Sequence, residues 1–199
     1  MLLDMGSQVA APSVTRVIDA RAVHARILWD NGWGRGRFKN FEAYVSSIPR
    51  IPVMPRGTRF NKLVLVDTTL VLTDACRVLG IEYGGDNTVF THYPNRPPPA
   101  EAYWMWMQDG ESTLGLSGFD CVSAAPAKEI FLTAAEGVCW YAGNTGVLFG
   151  RSVELPGSRL GSFPVYSACL MVHEGQPTLG VTEYCVGSPD RGSASAWGG

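Results

Sequence analysis

Asp67 closes the apolar run Leu63-Val-Leu-Val, a place from which open sheets often present a functional carboxylate. The same oxygen suits a plainer role, taking the unpaired amides of a following helix as an N-cap. Ser158 and Arg159 fall in Leu155-Pro-Gly-Ser-Arg, which reads as a tight glycine turn after a strand. There a hydroxyl and a guanidinium would face a ligand or only hold the turn. His173, beside Glu174 at a hairpin tip, offers an acid or base, or an exposed turn histidine. Asp109, in the Asp109-Gly110 step after an aromatic run, is a further strand-end carboxylate. If these five groups share one cavity, they hold the parts of a small hydrolase or transferase.

A different chemistry is suggested by Gly32-Trp-Gly-Arg-Gly-Arg, where free amides and the side chains of Arg35 and Arg37 precede a helix. Such a segment can hold an anionic small molecule, or it can join two helices with its arginines in water. It lacks the Lys-Ser/Thr ending of a P-loop and follows a helix rather than a strand. His24, His92, His173 and the cysteines show no paired metal-ligand spacing, so no metal is expected. No G-x-S-x-G or local cysteine-nucleophile signature is present, and nothing calls for a cofactor. The aromatic run Tyr103-Trp-Met-Trp-Met reads as core packing before it reads as a pocket wall.

The elements that would position these groups follow from periodicity and punctuation. Apolar residues from Val14 to Trp29 recur on one helical face after Ser13, and Phe38, Phe41, Val45 and Ile48 mark a second helix that Pro49 ends. Residues 13–48 thus form a helical N-terminal layer, followed by a proline-held linker. Leu63 to Val66 reads as a strand and residues 70–79 as a helix. Strands are expected at Thr88–Phe90 and Ala102–Gln108. Thr133 and Glu136 have capping-box spacing and Gly143 a stop position, which predicts a helix over 134–142. Residues 151–155, 165–173 and 178–185 complete the strands, the last two joined by Glu174-Gly-Gln-Pro. Residues 60–186 form a sheet-rich body and residues 187–199 a loosely held tail. The fold class is α+β: one domain, with the helical layer packed on a mainly antiparallel mixed sheet.

Charge and cysteine usage narrow the partners. The chain has 199 residues, a formal net charge of −2 and only 17% charged residues, which supplies no basic field for nucleic acid. No run approaches a membrane span, and five widely spaced cysteines inside apolar stretches fit a soluble protein of a reducing cytoplasm.

Four motifs resemble an uncharacterised bacterial family, a domain of unknown function: Tyr103-Trp-Met-Trp-Met-Gln-Asp-Gly, Leu132-Thr-Ala-Ala-Glu-Gly, Leu155-Pro-Gly-Ser-Arg and Gly192-Ser-Ala-Ser. Their order spans about residues 60 to 195, with a departure at Cys185 to Asp190. The resemblance implies a single domain of the bacterial cytoplasm and carries no activity with it. Because every candidate group also has a structural role, the function expected is a non-catalytic binding or accessory module, with a protein partner or a second copy of the chain as its partner. The hydrolase or transferase and the anionic small-molecule binder are the alternatives.

Overall fold

The computed structural model describes residues 20–84, 90–92, 98, 99 and 101–198. They form an α+β fold of five helices and ten strands in two sheets, so the predicted class holds while the single predicted sheet becomes two.

Helices α1 (Ala20–Asp30) and α2 (Phe41–Ser47) make the N-terminal layer; the predicted start at residues 13–19 lies outside the described residues. Asn40 caps α2, its side chain accepting from the Ala43 amide at 2.9 Å. The layer closes around Tyr44, whose ring meets Trp29 at 5.6 Å and Phe38 at 5.4 Å between centroids. Strand β1 (Lys62–Val66) follows, then α3 (Leu72–Val78) and the short strands β2 (Glu82–Tyr83) and β3 (Phe90–His92). Most of the turn at 84–87, the start of the strand at 88–90 and most of the polyproline loop at 94–99 lie outside the described residues.

Strand β4 (Tyr103–Gln108) leads to α4 (Gly118–Ser123), β5 (Glu129–Phe131) and α5 (Ala134–Ala142). Helix α5 begins where Thr133 and Glu136 predict, with both halves of the capping box formed. Gly137 lets it sit directly on Leu155, since a Cβ there would lie 2.6 Å from both Leu155 methyls. Strands β6 (Ser152–Leu160), β7 (Phe163–His173) and β8 (Gln176–Glu183) form the main meander. The β7–β8 turn is Glu174-Gly175, both at positive φ, as a two-residue hairpin requires.

The C-terminal segment corrects the expectation of a loose tail. Residues 191–193 form β9 and residues 195–197 form β10, and positions 192–196 are all buried. Four-stranded β1-β4-β10-β5 places the last strand in the interior of its sheet, with Ala196 opposite Met107 on one side and Ile130 on the other. The second sheet runs β2-β8-β7-β6-β3, with β9 parallel to β6. Ala194 alone separates β9 from β10, so the chain steps from one sheet to the other across a single residue. Its amide donates to the Glu154 carbonyl at 2.9 Å and its carbonyl accepts from Leu132, joining the sheets at one seam. Small side chains are the requirement there: Ala194 and Ala196 are fully buried.

Candidate functional site

The five strand-end groups do not converge on one cavity; of the arginine pair, Arg37 shares a recess with Asp67. Asp67 does not cap α3, whose N-cap is Val71 with no side-chain bond. The helix starts too far along the chain for that reach, so Asp67 folds back on its own turn and accepts the Thr69 amide (2.9 Å) and hydroxyl (2.5 Å). Its other oxygen takes the Tyr44 hydroxyl at 2.8 Å, and its carbonyl takes the Trp33 indole at 2.8 Å. Burial first, and then the neighbouring Asp67 charge, raise the Tyr44 hydroxyl far above its ordinary value. Asp67 therefore ties the helical layer to β1, and Arg37 borders the same recess.

Asp109 directly follows β4 and sits between two cations, Lys62 and Arg151, the latter at 2.5 Å. Burial alone would raise its carboxyl, but the Lys62 hydrogen bond and the Arg151 and Lys62 charges hold it below the usual range.

Ser158 and Arg159 correct the reading of Leu155-Pro-Gly-Ser-Arg as a turn. All five residues lie inside β6, where the ladder to β7 breaks register between Leu155 and Arg159. Pro156 and Gly157 make a bulge instead of a reversal, because the Gly157 amide pairs outside the sheet with the Leu132 carbonyl at 2.9 Å. Ser158 is buried and accepts the first amide of α5, Ala134, at 2.9 Å. Arg159 turns to the opposite face and lays its guanidinium over the Tyr184 ring, 3.0 Å from the centroid.

His173 is exposed as the last residue of β7, opposite Gln176. Arg35 is engaged at the end of α1, donating to the carbonyls of Trp29 (2.8 Å) and Asp30 (3.1 Å). Gly34 is required for packing rather than for an anion, since a Cβ there would meet the Tyr44 ring at 2.7 Å.

Polar side chains do gather at the seam between the sheets. Gln108 donates to the Ser193 carbonyl and the Ser195 hydroxyl, both at 2.7 Å, while its own carbonyl takes the Gly110 amide at 2.7 Å. Thr113 donates to the Ser193 carbonyl at 3.1 Å and receives the Ser193 amide at 2.9 Å. Ser195 and Arg59 both donate to the buried Glu129, and Ser167 and Ser193 to the buried Glu154. Burial pushes the Glu154 carboxyl up, against the pull of the Ser167 hydroxyl and the Arg191 charge.

A cleft of about 470 Å³ opens beside this seam. Phe60, Leu116 and Trp197 give it apolar walls, and Arg59, Asp120 and Glu129 form its polar edge. Burial pushes the Cys121 thiol up, so it stays protonated and adds apolar lining. Leu116 and Phe119 of this region are large apolar side chains left 48% and 52% exposed. None of the cleft residues is marked by spacing in the sequence. They come from segments that meet only because β10 inserts between β4 and β5. Burial alternates along Glu129-Ile-Phe, but the residue types do not, so nothing local marks this wall.

Among the described residues no set of three His, Cys, Asp or Glu side chains could hold a metal ion, and no helix is long and apolar enough to cross a membrane. Comparison with protein-family models, with curated proteins and with solved structures finds no match for this chain.

Proposed function

We propose that this chain is a binding module and that the cleft between the 57–60 loop, α4 and β10 takes its ligand, a small molecule with an apolar body. The observation that carries this reading is the cleft itself: aromatic and aliphatic walls, with an ion pair already closed at the edge. Its volume falls within the roughly 300–1,000 Å³ of small-ligand sites. Groups already paired orient a ligand without demanding a charge from it. The separate positions of Asp67, Asp109 and His173 favour binding over a hydrolase or transferase built from those strand-end groups. The engagement of Arg35 with α1 carbonyls speaks against an anion site in the glycine-rich segment. A reducing, cytoplasmic setting, as in the bacterial family that the motifs resemble, is supported by five free thiols, four of them buried.

Two-dimensional amide NMR with hexanoate, hexylamine and indole as probes tests the reading. Shifts are expected at residues 57–60, 116–126 and 197, and they should vanish in Ala124→Trp, which fills the cleft from the exposed end of α4. Shifts that avoid the cleft, or their absence with all three probes, would sink the proposal.

A further inference from the structure

Strands β3 and β6 pair antiparallel, with Phe90 opposite Leu160, Thr91 opposite Arg159 and His92 opposite Ser158. Directly opposed residues point to the same face, with Cβ atoms roughly 4.5–5.5 Å apart. His92 and Ser158 are thus neighbours on one face, while Arg159 is turned to the other. Ser158 Oγ uses a lone pair to accept from Ala134, which leaves its hydrogen to donate. His92 Nδ1 is buried and has no hydrogen-bond partner. A hydroxyl hydrogen without an acceptor therefore stands across from a ring nitrogen without a donor.

Both residues line a recess of about 320 Å³, with Leu70, Phe90 and Pro98 as apolar wall and the first turn of α5 at its base. No carboxylate, lysine or arginine lines it among the described residues, and its apolar wall suits a short acyl chain. The Ala135 amide, second in α5, has no intrahelical acceptor. Ala134 and Ala135, the first turn at the positive end of the helix, line the same space.

We propose that Ser158 and His92 are a nucleophile and its base, acting on a small uncharged ester with a short apolar acyl chain. Ser158 Oγ attacks the acyl carbon and His92 Nδ1 takes the hydroxyl proton. The Ala134 amide, released from Oγ, joins Ala135 in holding the oxyanion. The bond to the alcohol oxygen breaks, and the alcohol leaves with the proton from His92. Water then attacks the acyl-serine, His92 takes its proton and returns it to Ser158 Oγ, and the acid departs. The sum is ester plus water giving acid plus alcohol. This site is separate from the cleft, so either proposal can fail without the other.

The full chain is incubated with 4-nitrophenyl butyrate, with nitrophenol release and the intact mass followed together. A butyryl adduct on the Ser158 peptide is expected. Acylation should fall on the order of 100-fold in His92→Ala at unchanged melting temperature, and free imidazole should restore part of it. Ser158→Ala also removes the acceptor for the α5 amide, so the base variant carries the comparison, with His92→Gln in its place if His92→Ala does not fold. Folded wild type without an adduct on Ser158, or an adduct formed equally fast without His92, overturns the proposal.

Discussion

Asp109 looked like a functional carboxylate in the sequence, and its environment explains why it is a structural one. Its side chain is 6% exposed, against 40% for Lys62 and 14% for Arg151, so the group most removed from water is the one with two opposite charges. Its pKa is lower folded than unfolded. Its contribution is therefore present above the ordinary carboxylate value of 3.8 and lost as the pH falls through the folded value. Asp109→Asn should cost about 2 kcal/mol at pH 7, less than a fully buried pair because Lys62 is half in water. Urea unfolding should show the gap to wild type narrowing as the pH is taken below 3.8; a constant gap refutes the assignment. Gly192 makes a different demand. A Cβ there would strike the Gly110 carbonyl, and Gly110 itself sits at φ 89° with its own Cβ position 2.7 Å from the Gly192 backbone. Neither partner can yield, because both are backbone. Gly192→Ala should therefore lower stability by more than about 3 kcal/mol, beyond the usual range for a point change. Circular dichroism melting measures it. The residue types were legible at both sites, but the partners that give them meaning lie 42 to 82 positions away.

At the scale of elements, local signals succeeded where a helix or hairpin carries its own termination code. Helix α5 is bounded by Thr133 and Gly143 as predicted, because capping involves only neighbours in sequence. Thr133→Ala should cost roughly 1–2 kcal/mol in chemical denaturation, with the loss removed from the same helix that anchors Ser158. The Leu155-Pro-Gly-Ser-Arg segment failed by the same logic. Proline and glycine ordinarily mark a reversal, yet a proline can stand in a strand at a bulge, and the glycine is needed because the Phe131 and Leu132 backbones press against it. A distant backbone decided between turn and bulge. Asp67 shows the same limit at a helix start, since three intervening residues were enough to convert a cap into a turn closed on itself.

For the whole molecule, α+β composition was readable from the mixture of periods, but the division into two sheets was not. It depends on β9 and β10, two strands of three residues each in a glycine- and serine-rich stretch whose Ser-Ala-Ser-Ala alternation is short and made of small residues. Such residues are chosen at the seam for smallness and hydrogen bonding rather than for strand propensity. Removing residues 191–199 should abolish cooperative unfolding, seen as loss of the thermal transition, because β4 and β5 would then face each other across an empty position. Thiol chemistry reports on the same closure. Burial pushes the Cys76, Cys139 and Cys169 thiols up to about 12, while Cys185 is exposed. A native titration with an aromatic disulfide reagent should give one fast thiol, Cys185, and release Cys76, Cys139 and Cys169 only on denaturation. Rapid reaction of Cys139 or Cys169 in the folded protein would contradict the packing.

The interior position of β10 also sets a schedule for the ribosome. Strands β4 and β5 are synthesised long before the strand that lies between them; until residues 195–197 have cleared the exit tunnel, β4 keeps one hydrogen-bonding edge open and β5 has no strand partner. The four-stranded sheet therefore closes only after that point, whatever the remaining sheet has already formed. During that interval the nascent chain presents one unpaired edge of the apolar strand Tyr103–Gln108, the kind of edge that invites pairing with another chain.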